Sequence, residues 1–211
     1  MNQTKKRNKQ IRERAELLHK GQAGYSLSSN IYFLIYIVVV IICAFAIRSF
    51  LFSPIRVEGT SMQNTLQHNE RMIVEKVSYW FTEPKQGDIV IVHFPNKGAI
   101  TYVKRIVAVA GQTIEIKSND EGYYVEIDGE RLDESAYEGT MLIDDFRVYP
   151  RIQYGDNGRY TVPEGYVFVM GDHRTNSKDS RFAEVGAIPL YDVIGRVHGV
   201  IYPFDAVRPV D

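Results

Sequence analysis

Between Asn30 and Arg48 the chain reads IYFLIYIVVVIICAFAI, seventeen residues without a charge. As an α-helix this stretch would rise about 26 Å, at the short end of what crosses the hydrocarbon of a bilayer. A helix buried in a soluble core normally keeps a polar stripe, and Ile31–Ile47 has none. It therefore reads as a membrane span over 31–48, with Arg48 snorkelling and Phe50, Leu51 and Phe52 carrying apolar surface into the interface. Lys5, Lys6, Arg7, Lys9, Arg12, Arg14 and Lys20 precede it, against only Glu13 and Glu16. That excess predicts a cytoplasmic N-terminus. The expected layout is a basic cytoplasmic arm over 1–30, one span, and an extracytoplasmic domain over 49–211, held at the cell membrane. Ala44-Phe45-Ala46 offers a rival reading, because A-x-A after an apolar run marks a cleavable signal peptide. The polar region ahead of it is long, at about 30 residues, and Ile47 continues the apolar run, so an uncleaved anchor is preferred.

The net charge of −1 conceals this asymmetry. With the arm basic, the remainder is acidic on balance, which argues against a nucleic-acid surface. A single cysteine, Cys43, excludes an internal disulfide and any Cys-rich zinc site. His19, His68, His93, His173 and His198 lack ligand spacing, so neither metal nor cofactor is expected.

After a connector, Ser49–Pro54, the chain turns strand-like. Arg71–Val77, Asp88–Phe94, Ile100–Ala110, Thr113–Lys117, Tyr166–Met170 and Val193–Tyr202 are Val/Ile-rich and bounded by turn residues. Tyr123–Ile127 and Arg131–Leu132 flank Asp128-Gly129, a hairpin signal. Residues 133–160 are acidic and Tyr-rich and read as an irregular insert or cap. The expected fold is a mainly β domain with that cap, tethered by one N-terminal helix.

Three stretches could carry chemistry. Ser61 in Glu58-Gly59-Thr60-Ser61-Met62 reads, alone, as a turn or cap residue. Its small neighbours nevertheless leave room for a substrate carbonyl to approach. Lys104 shares one strand face with Tyr102, Ile106 and Ala108, while Val103, Arg105, Val107 and Val109 share the other. Alone it reads as a solvated strand lysine. Dried by those neighbours, its amine would fall from about 10.4 toward about 7–8 and could take a proton from a hydroxyl. The third stretch, GDHRTNSKDSR at 171–181, is too polar for a strand. It reads as a solvated loop or as a hydrogen-bonded scaffold, with Asp179 and Arg181 paired.

In this order the three stretches resemble the bacterial type I signal peptidases, membrane-anchored Ser/Lys proteases, in their shorter Gram-positive form. The resemblance covers about 170 residues, from the anchor onward. It rests on SMQNTL (61–66), RMIVEK (71–76), QGDIVIV (86–92), YVKRIVAVAGQTIEI (102–116) and GDHRTNSKDSR (171–181). It implies that Ser61 is the nucleophile and Lys104 the general base. Ser177 would orient the lysine, Asp179 and Arg181 would form a supporting ion pair, and Asp172 would belong to the same scaffold. Shallow substrate pockets admitting Ala at the −1 and −3 positions would be formed by Ile55, Val57, Met62, Leu66, Tyr102 and Val103. The implied partners are signal peptides of exported preproteins and the lipid bilayer; no cofactor is implied. Three departures stand out: Asn64 where the family usually has Pro, His173 where it has Asn, and Gly59 where some members place a serine oxyanion donor. A non-hydrolytic chaperone or assembly factor on the same fold is the alternative. Self-cleaving repressors use the same residue pair but need a DNA-binding domain and no membrane span.

Overall fold

The Val/Ile-rich runs become strands close to where their alternation ends. The computed structural model describes residues 2–47, 52–63, 65–95, 97–98, 100–120, 122–134 and 152–210. The chain divides into two compact units, Met1–Ser49 and Phe50–Asp211. The first is one helix, α1 (Asn2–Ala46). It is continuous and runs from the basic arm into the apolar stretch. The large apolar side chains from Ile31 to Ile42, and Phe45, are exposed on it. Among the described residues no helix is long and apolar enough to cross a membrane. The apolar stretch of α1 begins at Ile31 and the helix closes at Ala46, a rise of only about 24 Å. The rest of the expected 31–48 span and the start of the connector, residues 48–51, lie outside the described residues.

The second unit is mainly β. Its strands are β1 (Phe52–Arg56), β2 (Arg71–Glu75), β3 (Ile89–His93), β4 (Thr101–Val109), β5 (Thr113–Asn119), β6 (Gly122–Ile127), β7 (Glu130–Arg131), β8 (Arg159–Thr161), β9 (Tyr166–Met170), β10 (Ile188–Pro189), β11 (Val193–Tyr202) and β12 (Arg208–Pro209). The larger sheet runs β1-β2-β11-β3-β4-β9-β10, with β12 beside β11; the smaller runs β7-β6-β5-β8. β1 falls where a connector was expected. Pro54 cannot donate a ladder hydrogen bond, but an edge strand tolerates it, and among the described residues β1 pairs only with β2. At the hairpin tip Asp128 and Gly129 both take positive φ, 53° and 87°, as a type I′ turn requires. Of the expected insert, residues 135–151 lie outside the described residues.

β4 positions the site. Lys104 through Ala108 are all buried, so both of its faces are covered. One face of its second half, with Phe168 and Met170 of β9, packs on Ile114 and Val125 of the small sheet. β3 pairs with β4 from Thr101 to Arg105, whereas β9 pairs with it only from Arg105 onward. The other edge of residues 101–104 therefore carries no described strand.

Candidate active site

The segment after β1 is a loop with an apolar underside. Its base is closed by Val57 N–H donating to Glu70 O (2.8 Å) and Asn69 N–H to Val57 O (3.0 Å). Leu66 N–H and Thr65 N–H both donate to Met62 O, making a helical turn with Ser61 at its head. Val57, Met62 and Leu66 are buried in one cluster with Met72, Val74 and Ile91. Each contributes on the order of 1.5–3 kcal/mol, enough to pin an otherwise polar loop against the sheet. Gly59 takes φ 96°, a conformation that favours glycine, at the bend before Ser61.

That bend delivers Ser61 to β4. Lys104 Nζ lies 2.7 Å from Ser61 Oγ, and the lysine is only 2% exposed. Burial is the largest influence on the amine and Arg181 acts with it, against Asp179 and Asp172; the pKa falls from 10.5 to about 8. A neutral amine has a lone pair, and the Ser61 hydroxyl is positioned to donate to it. Three strands separate β1 from β4 in the sheet order, so the sheet curls until the two face each other across one groove.

The polar stretch 171–181 forms the floor. Asp179 and Arg181, both fully buried, pair through two bonds, Nε to Oδ1 at 2.7 Å and Nη2 to Oδ2 at 2.9 Å. Gly171 N–H adds a third to Asp179 Oδ2 (3.0 Å). Burial alone would raise the Asp179 pKa, but the Arg181 charge and these bonds outweigh it and hold the carboxylate below its usual range. Ser177 is buried and its Oγ makes no hydrogen bond of normal geometry, so the expected bond to Lys104 is not formed. The hydroxyl sits close enough to Asp179 to help keep it ionised. A Cβ on Gly171 would come within 2.5 Å of both Ser177 Cβ and Ser61 O, so only glycine lets these two segments meet.

Asp172, expected in the scaffold of Asp179 and Arg181, is held by Arg105, Nε to Oδ1 and Nη2 to Oδ2, both 2.9 Å. Thr65 Oγ1 donates to the same carboxylate (2.6 Å). The reason is strand alternation: Arg105 leaves β4 on the side opposite Lys104, and Asp172 follows it there. His173 N–H donates to Ser61 O (3.0 Å), and its Nδ1 lies 3.2 Å from Thr60 O, so the ring standing where the family has Asn holds the same loop. Asn176 Nδ2 reaches Thr60 Oγ1 (3.0 Å). Buried Arg174 pairs with Glu134. Sequence reasoning missed the structural roles of Arg105, Thr65, Arg174 and Glu134, because each is identified only by a partner distant in the chain. Asn64 lies outside the described residues.

The groove beside Ser61 encloses about 490 Å³, and Ile55, Val57, Met62, Tyr102 and Val103 line it. Ile91, not expected there, lines it too. Leu66 does not: it is 1% exposed and packs beneath the loop. A second cavity of about 510 Å³, on the Arg105 side of β4, reaches neither Ser61 nor Lys104, and its Asp88 and Arg196 pair with each other. Among the described residues no group of three or more His, Cys, Asp or Glu converges as metal ligands would.

Comparison with known proteins identifies the family. The profile of the family described as signal peptidase, peptidase S26, matches residues 30–202. The chain is 39% identical over 175 residues to signal peptidase I of Bacillus licheniformis, covering 83% of this chain and 90% of that protein. It is 38% identical over 172 residues to signal peptidase I T of Bacillus subtilis (strain 168), covering 82% and 85%. A crystal structure of a signal peptidase I from Enterococcus faecalis V583 aligns at 28% identity and a TM-score of 0.37, over 55% of this chain and 97% of that one. A match across most of the chain, at this identity, makes it a member of the S26 signal peptidase family.

Proposed function

We propose that this protein is a membrane-bound serine endopeptidase that removes signal peptides from exported preproteins, with Ser61 as nucleophile and Lys104 as general base. The observation that carries the dyad is the buried amine 2.7 Å from a hydroxyl. Signal-peptide cleavage itself rests on membership of the family.

The substrate segment lies extended between the edge of β1 and the open edge of residues 101–104, adding a strand. Ile55, Val57, Met62, Tyr102 and Val103 form shallow apolar walls suited to Ala at −3 and −1, and Leu66 shapes them from below. Ser61 Oγ attacks the scissile carbonyl carbon as its proton passes to Lys104 Nζ. The Ser61 backbone N–H donates to the oxyanion. As the C–N bond breaks, the ammonium returns that proton to the leaving amine. Lys104 then takes a proton from water, which attacks the ester and frees Ser61. Asp179, Arg181 and Ser177 hold the floor beneath the lysine. The uncharged helical stretch from Ile31, with the apolar residues that follow, anchors the enzyme with its N-terminus in the cytoplasm. Anchoring raises the effective concentration of a substrate that is itself tethered. A non-hydrolytic binder would have no use for a dry amine against Ser61.

The pH dependence tests this reading. Lys104 must be neutral to act as base, so kcat/KM should rise with pH, reach half its maximum near pH 8 and then level off. A half-point near that of free lysine, about 10.4, would remove the buried-amine argument. Stability should follow the same group. Between about pH 8 and 10.5 the unfolded chain holds a proton that the folded chain has lost, so this lysine makes stability rise with pH across that window. The full gain is about 3 kcal/mol. Denaturant titrations of wild type and Lys104→Met at both ends of the window would measure it by difference.

Gly171→Ala should lower cleavage about a hundredfold, the cost of misplacing reacting groups by about 1 Å. Its inserted methyl pushes Ser177 away from Ser61 O. Cleavage within about threefold of wild type would show that the loop absorbs the methyl without disturbing Ser61.

A further inference from the structure

The loop carrying Ser61 is gripped from two sides. One is the 171–177 segment. The other is Arg208, in the short terminal strand β12, beyond the last residue matched by the family profile. Its guanidinium makes four hydrogen bonds. Nη1 donates to Glu70 Oε1 (2.7 Å) and Ala206 O (3.0 Å); Nη2 donates to Glu70 Oε2 (3.0 Å) and to Thr65 O (2.7 Å). Glu70 is nearly buried and its carboxylate also accepts Gln67 N–H (2.8 Å). Thr65 and Glu70 belong to the segment that begins at Ser61 and closes on Val57. One planar fork thus fixes the carbonyl four residues after Ser61 and the side chain at the base of the loop, a geometry an ammonium cannot reproduce.

Thr65 links this grip to the lysine strand. Its carbonyl accepts from Arg208, and its hydroxyl donates to Asp172, which Arg105 holds bidentately. Arg105 is the immediate neighbour of Lys104. The path Arg208–Thr65–Asp172–Arg105 therefore runs from the terminal strand to the strand bearing the base. The fold makes room for β12: it pairs with β11 through only two residues, and a Cβ on Gly199 of β11 would meet Arg208 O at 2.6 Å. Val210 then enters the same apolar cluster as Val57, Met62 and Leu66.

We infer that Arg208 is a positioning residue, which sets the distance between the Ser61 loop and Lys104 by clamping Thr65 and Glu70 together. The inference rests on the reading of Ser61 as nucleophile. The groove is lined by β1, β4, Ile91 and the Ser61 loop, and the residues of that loop that Arg208 holds, Thr65 and Glu70, do not line it, so Arg208 should govern turnover more than substrate binding. Neither Arg208 nor Glu70 is among the groups that tune Lys104.

The test uses the full-length chain in detergent micelles and a fluorogenic peptide with Ala at −3 and −1. Arg208→Met should lower kcat about tenfold or more, with KM within about twofold and the pH half-point unmoved. Arg208→Lys, which keeps the charge opposite Glu70 but loses the fork, should recover part of that loss. Circular dichroism melts of both variants give the folded fraction. A kcat within twofold of wild type in Arg208→Met overturns the clamp, as does a loss that disappears on normalising to folded protein or falls on KM alone. Ser61→Ala is measured alongside. Activity surviving there condemns the nucleophile assignment, whereas an inactive Ser61→Ala beside a fully active Arg208→Met condemns only the clamp.

Discussion

Lys104→Met is expected to reduce preprotein cleavage to background while leaving the domain folded and more stable below about pH 8. Methionine has nearly the lysine shape, fills the same dry space and has no charge to desolvate. The folded chain currently holds this amine against a burial penalty that lowers its pKa to about 8. Removing the amine should recover about 3 kcal/mol at pH 6, where both folded and unfolded lysine are charged. Cleavage should fall by roughly four orders of magnitude or more, because nucleophile and base act as a unit. For the same reason Ser61→Ala should be as severe, and the double variant no worse than either. Purified full-length protein, a preprotein substrate and a chemical melt provide both readouts. More than about 1% residual cleavage in Lys104→Met would assign the base to another group.

Asp179→Ala should be the most destabilising substitution among the site residues, at about 3–5 kcal/mol. It removes a fully buried carboxylate that accepts two bonds from the Arg181 guanidinium, one from Arg181 N–H and one from Gly171 N–H. In a domain of this size the melting temperature should drop by roughly 10 °C. Asp179→Asn keeps an acceptor for Gly171 and should cost less. It also separates stability from chemistry. The Asp179 charge holds the Lys104 pKa up, while Arg181 pulls it down. Neutralising Asp179 should therefore move the half-point of the pH–rate profile below about 8, toward acid. A shift toward alkali would show that Asp179 does not act on the lysine through its charge.

Much of the domain was legible because strands announce themselves locally. Asp128-Gly129 and the Val/Ile runs that became β2 to β6, β9 and β11 needed only their neighbours. β1 was not legible, since Pro54 argues against a strand unless one knows that it lies at an edge. The basic arm is part of one helix, α1. The partner of Asp172 was not legible, because a carboxylate in a polar run has several cations in reach, and only folding selects Arg105. Leu66 was expected in the groove from the family resemblance, but which side of the loop meets the sheet is set only by folding, and Leu66 packs beneath it.

From its residues alone, the chain determined the kinds of group available: a hydroxyl among small neighbours, an amine flanked by apolar residues, a polar stretch opened by glycine, and an uncharged helical run. These depend on neighbours a few positions away. Tertiary structure alone decided that the amine is dry and that Ser61 meets it, 43 positions apart. It also decided that Gly171 admits Ser177 beside Ser61, and that Arg208 reaches back 143 positions to Thr65. The physical reason is that both burial and approach are made by segments distant in sequence, brought together when a sheet curls until its first and fifth strands face one another.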